Sequence, residues 1–187
     1  MVKEPLSDSR KHRAPRPLYD ARLEELALAY VARFATSAAR LEAYLARKLR
    51  ERGWQGETPA DIPALIARFV DRGYCDDEAY ARMRAGGLLR RGYGARRVNQ
   101  ALGVAGIADD IRDSVRPGVA QQRRAALAMA RKRRFGPFAP VAPDASRREK
   151  QIAAMLRAGH ELGSAMALIH ADSIDAAESW VSEVEEE

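Results

Sequence analysis

Three glycines recur at an interval of 53 residues: Gly53, Gly106 and Gly159. Four positions before them stand Leu49, Leu102 and Met155. Eight before stand Leu45, Val98 and Gln151, and one after stand Trp54, Ile107 and His160. The third copy is the weakest, because Gln151 and His160 are polar. Three helices can be drawn around the same landmarks in each copy. One such unit is too small to bury its own apolar face well. Stacked neighbours are therefore expected to supply the core, in an elongated, curved array.

The helices follow from periodicity. Leu23, Leu26, Ala27, Tyr30, Val31 and Phe34 fall at the spacing of one helical face. Thr36 or Ser37 can cap a second helix, with Leu41, Tyr44, Leu45 and Leu49 inward and Gly53 at its end. Asp61 caps a third, which carries Ile62, Leu65, Ile66, Phe69 and Val70 and stops at Gly73. Asp76-Asp77-Glu78 opens a fourth, one aspartate capping and the other acids suiting the positive end of the helix dipole. That helix carries Tyr80, Met83 and Leu88 or Leu89. Gly86-Gly87 inside it costs roughly 1 kcal/mol per glycine, which predicts a close helix crossing or a bend.

After Gly92-Tyr93-Gly94 a fifth helix runs to Gly106. A short sixth carries Ile107, Ile111 and Val115 and is broken by Pro117-Gly118. A seventh spans about Val119 to Arg134, with Leu127 and Ala130 inward. The proline-rich stretch from Phe135 to Pro143 precedes an eighth, capped by Asp144 or by the box Ser146-Arg147-Arg148-Glu149. A ninth runs from Leu162 to Ile169. No segment alternates with a period of two. The expected fold is all-α, with about nine helices in three tandem three-helix repeats over 20–73, 74–117 and 118–171. A basic disordered arm (1–19) and an acidic C-terminal tail (172–187) are expected to flank them.

Charge is segregated along this array. The net charge is +6, yet residues 171–187 hold seven acids and no base, leaving +13 on residues 1–170. Between Arg82 and Arg134 there are 14 basic residues and three acids. A block of this density attracts phosphate or an acidic protein surface. The bland alternative is a solvated helical surface. The acidic tail is either a solubilising end or an intramolecular competitor for the basic surface, and the first is the expectation. No apolar stretch nears the ~20 residues of a membrane span. Residues Met1 to Asp20 contain no apolar segment of the kind a secretory signal needs. A cytoplasmic monomer is expected.

Motifs for reaction chemistry are missing from the sequence. A single cysteine, Cys75, excludes an intrachain disulfide and any site that needs two thiolates from one chain. Between Tyr74 and Asp76 it reads as a small buried residue. There is no G-x-x-x-x-G-K-[ST] loop, and Gly92-Tyr93-Gly94 reads as a helix-start turn. His160-Glu161 begins like the zinc motif H-E-x-x-H, but position 164 is serine. Adjacent Asp76 and Asp77 read as capping residues rather than an acid/base pair. No catalytic residue, metal or cofactor is expected.

What remains is basic. Arg90, Arg91, Arg96 and Arg97 surround a glycine turn, and Arg131, Lys132, Arg133 and Arg134 close the seventh helix. Guanidinium forks match carboxylate and phosphate alike. These eight are candidate contacts for an anionic partner, either nucleic acid or an acidic protein groove. Dipole compensation and plain solvation are the alternative. Tyr93 and Phe135 interleave with the basic runs and could stack on bases; for Phe135, helix packing is the stronger expectation.

Two runs carry a family likeness. One is Val70-Asp71-Arg72-Gly73-Tyr74-Cys75-Asp76-Asp77-Glu78-Ala79-Tyr80-Ala81. The other is Leu89-Arg90-Arg91-Gly92-Tyr93-Gly94-Ala95-Arg96-Arg97-Val98-Asn99-Gln100-Ala101-Leu102, followed by Gly106-Ile107. In this order they resemble the RecX family, regulators of the RecA recombinase. Phe34-Ala35-Thr36-Ser37 through Gly53-Trp54 is similar too, so the resemblance covers about residues 20–170. The sequence departs from the pattern at Cys75, at Gly86-Gly87, in the long proline loop and at His160.

The resemblance implies three-helix repeats that bind in the groove of the RecA filament on single-stranded DNA and span neighbouring protomers. It implies inhibition of strand exchange, ATP hydrolysis and coprotease activity, with limited filament growth and no catalysis. The setting would be DNA repair, recombination and the SOS response. Tyr74, Asp76, Asp77 and Tyr80 would be fold determinants and the eight basic residues the contacts. A helical repeat protein that binds nucleic acid directly is the alternative.

Overall fold

The protein is described by a computed structural model covering residues 16–184. The expected disordered arm over 1–19 falls largely outside these residues. Among the described residues ten α-helices form: α1 (Asp20–Arg33), α2 (Ala38–Arg52), α3 (Ile62–Asp71), α4 (Asp77–Arg90), α5 (Ala95–Val104), α6 (Asp109–Ser114), α7 (Val119–Arg133), α8 (Ala145–Arg157), α9 (Leu162–Ile169) and α10 (Ile174–Ser182). Among the described residues there is no strand, only an isolated parallel bridge between Leu18 and Trp54.

The 53-residue spacing marks the ends of the three middle helices, α2, α5 and α8. At the ends of α5 and α8 the chain closes the same way. Ile107 N bonds Leu102 O and His160 N bonds Met155 O, across Gly106 and Gly159 at φ +73° and +94°. An L side chain strains that left-handed turn, which is why glycine recurs there. The apolar residue four positions earlier is the buried anchor of the last turn, Leu102 or Met155. The end of α2 differs: from Gly53 the chain runs alongside Leu18, which bonds Gly53 O and Gln55 N. Leu18 is fully buried there, so ordered structure reaches into the stretch read as an arm.

The apolar surface is not buried mainly between stacked units, as the small unit size suggested. Three separate clusters form. Leu23, Leu41, Leu45, Ile66 and Phe69 centre the first. Tyr80, Leu88, Val98, Leu102 and Ile107 centre the second, and Leu127, Met155, Leu168 and Ile169 the third. The third unit reaches a full core by recruiting α10, whose Ala177 and Val181 are buried in it. The acidic stretch therefore contains a packed helix, and Arg123 lies 4.4 Å from the ring centroid of its Trp180.

Several inward assignments rotate outward. Phe34, Val70 and Met83 are about half exposed. In α4 the small Ala81 and Ala85 take the inner face with Tyr80 and Leu88, so the helix packs by close approach rather than by bulk. Gly86 and Gly87 make no close crossing. A Cβ on Gly87 would meet nothing within 4 Å, and one on Gly86 only the tip of Arg90. The tight contact comes later, at Gly92, where a Cβ would lie 2.9 Å from Met129 N.

Two joints set the row of units. In the first, Ser37 caps α2 and its buried hydroxyl donates to Ala105 O at 2.5 Å. Asp77 accepts from Ala38 N at 2.9 Å, and Arg40 donates to the Tyr80 hydroxyl at 2.8 Å. In the second, the end of α8 meets the start of α5 through main chain. Gly94 N bonds Ala158 O at 3.0 Å and Arg96 N bonds Gly159 O at 3.2 Å. His160 Nε2 sits 2.9 Å from Gly92 O. In both joints the C-terminal end of one middle helix faces the N-terminal end of the preceding one. Exposed carbonyls thus meet free amides or a capping hydroxyl.

Candidate partner-binding face

The second and third units bring the two basic runs together. Gly86 and Gln121 line one surface hollow, and eight residues further along α7 Gly92 packs on Met129. Helices α4 and α7 therefore run side by side in the same direction. Their basic C-terminal ends, Arg90-Arg91 and Arg131–Arg134, lie at one end of the pair. Cations there also favour the negative helix ends.

All eight candidates are exposed, but they do not behave alike. Arg131 pairs with Glu178 of α10 and sits 5.9 Å from the Phe138 ring centroid. Part of the acidic stretch thus pairs with a member of the basic set. Arg96 donates to Leu156 O across the second joint, and Arg97 donates to Gln100. Among the described residues, Arg90, Arg91, Lys132, Arg133 and Arg134 have no carboxylate at ion-pair distance.

Two members were missed in the sequence. Arg147 and Lys150 of α8 line a cleft of about 230 Å³ with Arg133, Arg134 and Phe135. Buried Gln151 holds that cleft together by accepting from Gly136 N at 3.0 Å. A polar residue at an otherwise apolar repeat position was the signal that α8 faces the preceding loop. Phe135 is half-buried against the third core, as packing predicted, whereas Tyr93 is exposed. Arg134 itself is the one non-glycine residue with positive φ among those described, at +54°.

The remaining chemistry is sparse. Cys75 is buried, and burial pushes its thiol up from the ordinary value. His160 is buried at the second joint, and that desolvation lowers its pKa, partly opposed by its bond to Gly92 O. Among the described residues no group of three or more His, Cys, Asp or Glu converges as metal ligands would, and no helix is long and apolar enough to cross a membrane.

Fold and face together define an all-helical array of three-helix units with a cationic end. The sequence profile of the RecX second three-helix domain matches residues 76–115. Regulatory protein RecX of Myxococcus xanthus (strain DK1622) is 33% identical over 174 residues, 87% of this chain and 93% of that protein. The RecX of Agrobacterium fabrum (strain C58 / ATCC 33970) is 34% identical over 119 residues, 60% of this chain and 62% of its own length. The crystal structure of RecX from Lactobacillus salivarius shares the fold, with a TM-score of 0.60 at 16% identity, over 89% of this chain and 97% of that one. The chain belongs to the RecX family of regulatory proteins.

Proposed function

We propose that this protein is a non-catalytic, cytoplasmic, monomeric regulator that binds the RecA filament on single-stranded DNA. In this reading it inhibits strand exchange, ATP hydrolysis and coprotease activity and limits filament growth. The observation that carries it is family membership along nearly the whole chain. The cationic end of α4, α7 and α8 supports it, as a surface for an acidic filament groove. Successive units engaging successive protomers would add avidity without new chemistry. Arg90, Arg91, Lys132, Arg133 and Arg134 are the proposed principal contacts. Arg96, Arg97 and Arg131 are held by bonds within the chain and are proposed to contribute less.

The test is RecA ATP hydrolysis on single-stranded DNA with this protein titrated in. Inhibition is expected at concentrations stoichiometric with RecA, and Arg133→Glu/Arg134→Glu should weaken it about tenfold or more. An unchanged rate with the unaltered protein overturns the reading.

A further inference from the structure

The first unit carries a second cationic surface that shares no residue with the α4–α7–α8 end. Between α1 and α2 lies an open furrow of about 680 Å³. Arg40, Tyr44, Arg47 and Arg50 recur along α2 at the spacing of one helical face, and Tyr30, Arg33 and Phe34 face them from α1. Ala29 and Ala43 are too small to fill the space between them. Among the described residues no carboxylate lines the furrow.

The rings form a platform. Tyr30 and Tyr44 stack with centroids 4.2 Å apart and planes 22° from parallel, and Phe34 adds a third ring 5.2 Å from Tyr30. Phe34 is 48% exposed, a large apolar ring at a helix end with half its surface open to solvent. Cations already flank these rings: Arg33 lies 5.4 Å from the Phe34 centroid and Arg47 5.6 Å from that of Tyr44. Among the described residues, neither Arg33 nor Arg50 has a carboxylate at ion-pair distance. Arg47 shares an exposed pair with Glu51, of a kind worth little.

The geometry points to a binding site for single-stranded nucleic acid: unpaired bases stack on the Phe34–Tyr30–Tyr44 platform while Arg33, Arg47 and Arg50 meet the phosphates. An acidic peptide would use the guanidiniums and leave the rings without a role. A duplex would use the charges but keep its base faces inside the helix. Only an unpaired strand uses both halves of the furrow. The inference does not depend on filament binding, since it concerns a different unit and bare strand.

Fluorescence anisotropy with a labelled 20-residue oligothymidylate at low salt tests it. Binding is expected for the full chain. Arg33→Gln/Arg50→Gln should weaken it about tenfold and reduce the salt slope by about 1.4, at about 0.7 per lost phosphate contact on a single strand. Phe34→Leu should weaken it about fivefold with the slope unchanged, because it removes stacking and no charge. Both variants alter exposed side chains and should keep the circular dichroism of the parent. Failure to bind, variants that bind like the parent, or equal displacement of the probe by duplex or by polyglutamate would each overturn the site. None of these outcomes alters the ATP hydrolysis test above, so failure of one reading is distinct from failure of the other.

Discussion

The two joints of this array solve one problem with different materials. Each sets the end of a middle helix against the start of the one before. The first does so through side chains, with the Ser37 hydroxyl on Ala105 O and the Asp77 carboxylate on Ala38 N. The second does so chiefly through main chain, with Gly94 and Gly159 in direct contact, while the Arg96 and His160 side chains add bonds to Leu156 O and Gly92 O. A side-chain joint can be retuned one atom at a time. Where main chain meets main chain, a Cβ on Gly94 would run into the Gly159 carbonyl, so no atom can be added at that point of the second joint.

The sharpest way to break this contrast is at Gly94. Its φ of −80° suits any residue, so only space demands glycine: a Cβ would stand 2.3 Å from the carbonyl carbon of Gly159. Gly94→Ser should cost about 3 kcal/mol in urea denaturation, because backbone on both sides cannot yield. Gly118 is the matched control. It caps α7 at φ −67° with nothing within 4 Å of its Cβ position. Serine there should be neutral or slightly stabilising, since serine caps well. Equal effects at both positions would mean that the second joint is not rigid.

At the first joint, Ser37→Ala should cost about 2 kcal/mol. It removes a helix cap and leaves the Ala105 carbonyl without its buried donor. Ser37→Thr retains the hydroxyl and should recover part of the loss. A smaller effect than at Gly94 is what separates the two kinds of joint.

Both joints were partly legible in the sequence. The glycine interval located the ends of α2, α5 and α8, and because capping is local the caps were readable as Asp61 or as a choice between neighbours, which the fold settles as Ser37 over Thr36, Asp76 over Asp77 and Asp144 over the Ser146 box. The partners of Asp77 and Gly94 were not readable. Asp77 looked like a cap or a dipole residue, and its real contact lies 39 positions away at Ala38. Gly94 looked like half of a loose turn. Gly86-Gly87 promised a crossing that Gly92 makes instead, since sequence records where a Cβ is missing and not what stands opposite. The basic face was half legible. Arg90, Arg91 and Arg131–Arg134 announced themselves as runs, whereas Arg147 and Lys150 join them only through the fold. The pairing of Arg131 with Glu178 depended on α10, which acidic composition concealed.

His160 turns the second joint into a pH-dependent one. Burial lowers its folded-state pKa below the ordinary 6.5, so the unfolded chain takes up the proton more readily. Stability is then fully present above pH 6.5 and declines as pH falls from there toward the folded value. His160→Asn can still donate to Gly92 O but does not titrate, so its stability should change less between pH 7 and 5. Parallel slopes for the two proteins in denaturation series would place the pH sensitivity elsewhere.

The smallest expected effect concerns the end of α7. There Phe135 N bonds Ala130 O across Arg134, the same closure that Gly106 and Gly159 make, but with a side chain at φ +54°. Arg134→Gly should therefore stabilise the protein by about 0.5–1 kcal/mol, the left-handed strain relieved less the entropy that glycine adds to the unfolded chain. Arg134→Asn repeats the test with a side chain in place, because asparagine also tolerates the left-handed conformation and lacks the cation. Both variants should raise the melting temperature and weaken inhibition of RecA ATP hydrolysis. Higher stability with undiminished inhibition would remove Arg134 from the contact set and leave the cationic end to Arg90, Arg91, Lys132 and Arg133.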